Sequence, residues 1–319
     1  MTGAAFDLVR GHVREGRLPA AVLGVATADG IISLEAFGAT GSRPARVDDH
    51  FRLFSITKPL VGLAAARAVE RGLLTPLTPL SSVVPGADPA IQLRHLVSHT
   101  AGLTEPALDV AGGLAAALRD AGRDFAPGSA SRYSSIAFQG VAELLEAATG
   151  SEWADAVREV ARDAGAEGIT IDEAADPHDV VDAEAEGLDV ARLAANRHPG
   201  AGLIGRAADL LELGAALLRD DETVVGSATL AMMRRPLTGD IPRLEPYPAE
   251  RGQDWGFAWN LRTRAPGLID QDVYGHAGWS GTEFWVHPTA GVAWVLLTNR
   301  AVRPGVDPDA IDNAVVAGV

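Results

Sequence analysis

Lys58 is the only lysine among the 27 Lys and Arg residues of this chain, and it follows Ser55 by three positions. Arginine keeps its proton in proteins, whereas a buried or crowded lysine can lose it. The spacing Ser-x-x-Lys places the hydroxyl and the amine on one face of a helix's first turn, which is the arrangement of an activated serine nucleophile. The alternative is a helix-capping serine followed by a solvated lysine. It is disfavoured because a cation in the first turn opposes the helix dipole.

Tyr133 is a second candidate for proton transfer. It is one of three tyrosines, and it stands between a predicted turn at residues 125–128 and a predicted helix. A nearby cation would lower the pKa of its phenol and make it a proton shuttle. The alternative is a half-buried tyrosine that anchors a loop.

Residues 274–281, YGHAGWSG, hold three glycines in or beside a predicted strand. Glycine weakens a strand, so this pattern is typical of a place where a ligand approaches the backbone. Backbone N–H groups at such a place can form an oxyanion hole.

Composition excludes several classes of function. The formal charge of −15 argues against a nucleic-acid partner. The chain has no cysteine, which excludes disulfides and thiol catalysis. No secretory signal and no apolar run long enough for a membrane span is visible, so we expect a cytoplasmic protein.

The periodicity predicts an α/β (α+β type) fold. An antiparallel sheet of about five strands would be built from both chain ends, flanked by N- and C-terminal helices, with a large and mainly helical insert. Residues 1–54 and 256–319 would form the sheet region and residues 55–255 the helical region, with the active site between them. The predicted helices are at 5–14, 59–72, 136–148, 207–218 and 309–316, and the predicted strands are at 20–27, 31–37, 273–279, 283–287 and 292–298.

Two other patterns predict no metal site. Residues 163–190 hold ten acidic side chains and no Lys or Arg, but they lack the spacing of a calcium loop and predict an irregular, solvated excursion. His95 and His99 are four apart, but Leu96 stands where a zinc peptidase needs glutamate. We therefore expect two structural histidines.

Taken in order, the motifs resemble those of the serine β-lactamase-like superfamily, which includes class C β-lactamases, D,D-peptidases and β-lactamase-fold esterases. The resemblance covers nearly the whole chain. The motifs that carry it are FSITK at 54–58, LRHLVSHTAGL at 93–103, RYSS at 132–135, PGAGLIGRAADL at 199–210, GHAG at 275–278 and VLLTNR at 295–300.

The resemblance implies a β-lactamase/transpeptidase-like fold and a role for each matching residue. Ser55 would be the nucleophile that forms an acyl-enzyme, and Lys58 and Tyr133 would share its deprotonation, with the formal base left open. Tyr133 would also protonate the leaving group and later activate water. The backbone N–H groups of Ser55 and Trp279 would form the oxyanion hole, and His276 would line the pocket beside Tyr133. No metal or organic cofactor is implied.

Two departures from the family pattern favour esters over β-lactams. Ser135 replaces the usual asparagine of the second motif, and a hydroxyl offers an amide substrate fewer hydrogen bonds. His276 replaces the lysine of class C enzymes, so no permanent cation remains there to hold a β-lactam carboxylate. Other residues expected to bind substrate are Gly278, Trp279, Trp255 and Phe257, the last two as an aromatic wall with Trp279, or else as core aromatics.

The sequence therefore predicts a carboxylesterase that acts on small or medium esters. An amide-directed enzyme (a D-aminopeptidase, a D,D-peptidase or a weak β-lactamase) and an acyltransferase remain alternatives. A binding protein that retains the fold is a third alternative, but such a protein needs none of Ser55, Lys58 and Tyr133.

Overall fold

A computed structural model of the chain describes residues 3–247 and 249–319. Its helices are α1 Gly3–Arg14, α2 Thr57–Glu70, α3 Leu93–Val97, α4 Leu114–Asp120, α5 Ile136–Thr149, α6 Trp153–Asp163, α7 Val190–Ala195, α8 Ala207–Arg219, α9 Ser227–Met233 and α10 Pro308–Val316. Its strands are β1 Ala20–Thr27, β2 Gly30–Thr40, β3 Arg43–Pro44, β4 Phe51–Arg52, β5 Ile204–Gly205, β6 Asp254–Trp255, β7 Asn260–Leu261, β8 Tyr274–Ala277, β9 Glu283–His287 and β10 Val292–Thr298. Within the described residues, no helix is long and apolar enough to cross a membrane.

The main sheet is antiparallel and has the strand order β3-β2-β1-β10-β9-β8-β7-β6, while β4 pairs with β5 separately. This confirms the predicted sheet built from both ends of the chain. The sheet has eight strands among the described residues rather than about five. The additional strands β3, β6 and β7 have two residues each, which is too short to give a period of two in the sequence.

Helices cover both faces of the sheet, and this explains why its central strands are apolar throughout. All of β10 and seven of the eight residues of β1 are buried. Helices α1 and α10 pack on one face through Phe6 and Ile311, among others, against Trp294. Helix α8 packs on the other face. Gly214 allows this close approach, because a Cβ at that position would lie only 2.6 Å from the Cβ of Ala293.

Helix α2 joins the helical layer to the sheet. It contacts α5, α6 and β8, and the 3₁₀ turn Phe54–Ile56 that leads into it also contacts β8. The sequence predicted one apolar stripe, but α2 is buried on nearly all sides. Its run of small residues, GLAAARA at 62–68, allows neighbours to approach from every direction. The N-terminal end of α2 is therefore fixed where the helices meet the sheet.

The acidic segment 163–190 is irregular, as predicted, apart from the end of α6, the start of α7 and a short 3₁₀ turn at Glu173–Ala175. The expectation that it is solvated holds for only part of it. Ala183 and Leu188 are buried in an apolar cluster with Phe54. His178 is also buried and hydrogen bonds to Thr40 (2.7 Å) and Asp49 (2.8 Å). Apolar residues between the acidic ones anchor the segment beside Ser55.

Candidate active site

Ser55 lies in the 3₁₀ turn Phe54–Ile56 that leads directly into α2. Phe54 has a left-handed backbone, with φ of 45°, which is unfavourable for a residue with a bulky side chain. Its ring is buried and lies 5.3 Å from the ring of Trp279, so packing holds this conformation. Ser55 lines a cavity of about 680 Å³, and Trp279 lines it too. The turn therefore presents a serine hydroxyl to an open cavity.

Lys58 is fully buried, and its amine has three hydrogen-bond neighbours. They are Ser55 Oγ at 3.0 Å, Ser135 Oγ at 3.0 Å and the carbonyl oxygen of Gly200 at 2.8 Å. Burial lowers the pKa of Lys58 to about 7, although the charge of Glu105 opposes this shift. A large fraction of Lys58 is therefore neutral near pH 7.

The neutral amine has two N–H donors and one lone pair to share among these three neighbours. The carbonyl of Gly200 can only accept, so one N–H points to it. The second N–H can go to Ser135 Oγ, which leaves the lone pair for the hydroxyl proton of Ser55. This arrangement makes Lys58 able to accept the proton of Ser55.

Tyr133 packs against this pair. Its ring centroid is 4.6 Å from Lys58 Nζ and 4.5 Å from the ring of His99. Its hydroxyl interacts with Ser55, but it has no partner at hydrogen-bonding geometry among residues 3–247 and 249–319. The sequence led us to expect that a nearby cation lowers the pKa of Tyr133. Instead, burial raises this pKa well above its ordinary value, because desolvation penalises the phenolate. Tyr133 is therefore a proton donor near neutral pH.

His276 on β8 is buried and neutral. Its Nδ1–H donates to the carbonyl oxygen of Ala277 at 2.7 Å. Burial, helped by the charge of Lys58, lowers the pKa of His276 to about 3. Its ring lies 5.9 Å from that of Tyr133. The third motif thus brings a neutral ring beside Tyr133, with no positive charge.

The glycines of the third motif have a different explanation from the expected one. Gly278 lies in a tight turn, in which its N–H donates to the carbonyl oxygen of Thr282 at 2.7 Å. A Cβ at Gly278 would overlap the Thr282 side chain and lie 2.5 Å from the carbonyl oxygen of Leu53. A Cβ at Gly275 would lie 2.6 Å from the ring of Trp285. Packing within the protein, rather than a ligand, therefore requires these two glycines, although Gly278 does line the cavity.

The predicted aromatic wall of Trp255 and Phe257 is corrected by the structure. Trp255 is buried behind Tyr133, at 5.4 Å between ring centroids. Phe257 is fully buried in the main core. The reason is a tight turn at Ala258, with φ of 67°, which directs this hairpin inward against α2. The aromatic residues that do line the cavity are Trp279, Tyr133, Tyr247 and Trp285.

Three groups near Lys58 were not assigned to the site from the sequence. The carbonyl of Gly200 comes from the glycine-rich motif at 199–210, but a backbone acceptor gives no signal of its own. Glu105 accepts hydrogen bonds from the backbone N–H groups of Ser135 (2.8 Å) and Ile136 (3.2 Å) at the start of α5. His99, expected to be only structural, accepts from the backbone N–H of Ser134 at 3.1 Å and supports the ring of Tyr133. These groups position the second motif against Lys58.

Sequence comparison places this geometry in a family. A model of the beta-lactamase family matches residues 5–318. The chain belongs to the beta-lactamase family. As a member of that family it is a β-lactamase-fold protein of the serine hydrolase superfamily. The resemblance of its motifs to the serine β-lactamase-like superfamily is thus confirmed.

Individual relatives of this beta-lactamase family member differ in their named activities. Esterase EstB of Burkholderia gladioli is 35% identical over 185 residues, which is 48% of this chain and 46% of the esterase. The match thus spans less than half of that relative's length. Penicillin-binding protein 4 of Amycolatopsis lactamdurans is 27% identical over 294 residues, 80% of this chain and 73% of that protein. The crystal structure of a beta-lactamase from Mycobacterium bovis covers 96% of both chains at 26% identity, with a TM-score of 0.69.

Proposed function

We propose that this member of the beta-lactamase family is a serine carboxylesterase that acts on small or medium esters. The observation that carries the proposal is the contact of 3.0 Å between Ser55 Oγ and the buried amine of Lys58, whose pKa is lowered to about 7. A serine hydroxyl beside a neutral amine is an activated nucleophile. A pure binding protein has no use for this pair.

In the first half of the reaction, Ser55 Oγ attacks the ester carbonyl carbon while Lys58 Nζ accepts the hydroxyl proton. The backbone N–H groups of Ser55 and Trp279 hydrogen bond to the oxyanion that forms. The bond between the carbonyl carbon and the alcohol oxygen then breaks. Tyr133 gives its proton to the leaving alkoxide and takes one back from Lys58, which leaves an acyl group on Ser55.

In the second half, water attacks the acyl carbon. Lys58 again accepts a proton, this time from the water, with Tyr133 as a relay. The bond to Ser55 Oγ breaks, the carboxylic acid leaves and Ser55 recovers its proton. We assign Lys58 rather than Tyr133 as the formal base, because burial lowers the pKa of Lys58 and raises that of Tyr133.

Two features of the site favour an ester over a β-lactam or a peptide. His276 stays neutral because its pKa is lowered to about 3, so it offers no charge to a carboxylate. The hydroxyl of Ser135 is already engaged by Lys58 at 3.0 Å, so it is less available to an amide. The partial match to Esterase EstB points the same way.

An amide-directed activity is the second candidate. It is favoured by the longer match to Penicillin-binding protein 4, which covers 80% of this chain. Acyl transfer differs from hydrolysis only in that an alcohol, rather than water, attacks the acyl group on Ser55. Either activity would use the same three residues, Ser55, Lys58 and Tyr133.

A substrate panel tests the proposal. Wild type, Ser55→Ala and the exposed control Ser129→Ala are assayed with chromogenic esters, anilides and a cephalosporin. We expect ester turnover in the wild type and the control, and at least a 1,000-fold loss in Ser55→Ala, the order of loss for removal of a nucleophile. Equal turnover by wild type and Ser55→Ala would refute the hydrolase proposal. Preferred turnover of anilides or of the cephalosporin would select the amide-directed alternative.

The nucleophile is tested separately by mass spectrometry after treatment with a phosphonate inhibitor. We expect a single adduct on the peptide that contains Ser55, present in Ser129→Ala and absent in Ser55→Ala. An adduct at another serine would contradict the assignment.

A further inference from the structure

The active-site cavity has a second, polar end that the proposed reaction does not use. Besides Ser55 and Tyr133, its lining includes Gln253, Asn260, Arg262, Glu283 and Arg303. We call these last five residues the polar end. Gln253, Asn260 and Glu283 are 8%, 2% and 2% exposed, respectively. Buried polar groups in such number at a cavity wall need an explanation.

Several polar atoms of this end lack a hydrogen-bond partner. Within the part of the chain that the structure describes, they are the acceptors Gln253 Oε1 and Asn260 Oδ1 and the donors Arg262 Nε and Arg303 Nε. A buried polar atom without a partner destabilises the folded protein. The residues that carry these acceptors and donors line one cavity, so a polar ligand that reorients their side chains could satisfy both kinds.

Strand register places the side chains of Asn260 and Glu283 on one face of the sheet. Asn260 on β7 pairs with Gly275 on β8, which pairs with Trp285 on β9. Gly275 has no side chain, and the ring of Trp285 packs over it on this face. Glu283 precedes Trp285 by two residues and therefore faces the same way. Asn260 and Glu283 therefore project from the same face of strands β7 to β9.

Glu283 is the acidic member of the polar end. It accepts a hydrogen bond from the indole Nε1 of Trp285 at 2.8 Å. The charges of Arg303 and Arg262 act on it, but burial dominates and raises the pKa of Glu283 to about 7. Arg262 lies over the ring of Trp285, at 5.5 Å, and is paired with Asp309 at 2.8 Å. Glu283 can therefore accept a hydrogen bond and, when protonated, can also donate one.

The charge of the cavity lining is nearly balanced. The acidic residues are Glu250, Glu283, Asp307 and Asp309, and the basic residues are Arg251, Arg262 and Arg303. A carboxylate ligand would meet Glu283, and an ammonium ligand would meet two guanidinium groups. The chemistry that fits both the unpartnered acceptors and the unpartnered donors is a neutral group that donates and accepts at once.

We infer that the polar end binds a neutral group with both hydrogen-bond donors and acceptors, such as a carboxamide, on the substrate whose ester bond reaches Ser55. Glu283 and Asn260 are the specificity-determining residues, and the inference rests on the proposed esterase function. The favoured substrate is therefore a polar ester rather than a plain alkyl ester.

Matched substrates test the inference. The first pair is the 4-nitrophenyl esters of adipamic acid, which ends in a carboxamide, and of 6-methylheptanoic acid, which has the same shape but ends in an isopropyl group. The second pair places these ends on the alcohol side, as acetates of 6-hydroxyhexanamide and 6-methylheptan-1-ol. In at least one pair, wild type should prefer the carboxamide in kcat/KM by about tenfold or more, as expected for one or two buried hydrogen bonds.

Glu283→Met and Asn260→Leu keep side-chain size but remove the hydrogen bonds. Each should abolish most of the preference, while kcat/KM for the alkyl ester stays within about threefold of wild type, which shows that Ser55 and Lys58 are intact. Glu143→Met, a half-buried residue of α5, is the matched control and should keep the preference. The two test variants lie on different strands, so failure of one to fold leaves the other to decide.

The outcomes separate the inference from the function on which it rests. Equal kcat/KM in both pairs, or a preference unchanged in both test variants, would overturn the polar end as a specificity site and leave the esterase intact. Faster turnover of esters that end in a carboxylate or an ammonium would overturn the assignment to a neutral group. No turnover of any ester by wild type would overturn the esterase proposal, and this inference with it.

Discussion

The lowered pKa of Lys58 predicts how activity depends on pH. With a pKa of about 7, the neutral fraction of the amine falls tenfold for each pH unit below that value. At pH 5 about 1% is neutral, so kcat/KM for an uncharged ester should be about 100-fold below its plateau, which it reaches above about pH 8. Because kcat/KM reports the free enzyme, the midpoint gives the pKa of Lys58 before substrate binds.

Other titrating groups near the site give this profile its controls. Burial lowers the pKa of both His276 and His198 to about 3, so neither changes charge between pH 5 and 8. The charge of Glu105 raises the pKa of Lys58, so Glu105→Gln should move the acid limb to lower pH. Glu283 also titrates at about 7, so Glu283→Gln is needed to show that the limb keeps its position without that carboxyl.

The assay is initial hydrolysis rates of a neutral ester at low substrate concentration between pH 5 and 9, in buffers of constant ionic strength. A flat profile would refute the assignment of Lys58 as the base. So would a limb that stays in place in Glu105→Gln but moves in Glu283→Gln.

Three further predictions concern single side chains. Lys58→Met should be inactive but more stable than the wild type in urea unfolding, by up to about 5 kcal/mol below pH 7. The gain should shrink toward pH 10, because the amine of the unfolded wild type then loses its proton. A variant less stable than the wild type would contradict the cost of burying the charged amine. Tyr133→Phe should lower kcat/KM, which reports acylation, about 100-fold for an alkyl ester but less than about tenfold for a 4-nitrophenyl ester, whose nitrophenolate leaves without protonation; equal losses would contradict Tyr133 as the proton donor. His287, held between Asp270 and Asp312 at 3.0 Å each, has a raised pKa, so its pairing stabilises the fold fully below pH 6.5 and less as pH rises through the raised value. His287→Gln should therefore cost about 3 kcal/mol in thermal unfolding at pH 6 and less at pH 9, and a cost that grows with pH would contradict the pairing.

Local patterns in the sequence predicted the parts of the molecule that depend on local geometry. The spacing of Ser55 and Lys58 places both on one turn, and the structure brings their side chains to 3.0 Å. The strands at 283–287 and 292–298 were predicted with their observed bounds, because aromatic and β-branched residues on both sides of a turn give a clear signal. The position of Tyr133 between a predicted turn and a predicted helix singled it out, and the family motif added His276; the fold places the two rings 5.9 Å apart.

Features that depend on distant contacts were not predictable. The carbonyl of Gly200 reaches Lys58 across 142 positions of the chain, and nothing in its local sequence marks it. The pKa of Tyr133 is raised rather than lowered as expected. A neighbouring cation could be inferred from the sequence, but the extent of burial could not. Phe257 was assigned to a cavity wall, since an aromatic-rich segment does not reveal which side its turn will face.

The position of β1 in the sheet has a consequence for biosynthesis. It lies between β2 and β10, and β10 begins at Val292, 265 positions after β1 ends at Thr27. At a synthesis rate of about 5–20 residues per second, one edge of this apolar strand stays unpaired for tens of seconds while the rest of the chain is synthesised. An unpaired apolar edge invites association with other chains.

Strand β10, which pairs with the open edge of β1, belongs to the same C-terminal segment as the third motif. A nascent chain that has already made Ser55 and Lys58 still lacks His276 and Trp279 until near the end of translation. Pairing of the open edge of β1 and completion of the proposed active-site cavity therefore occur at nearly the same moment.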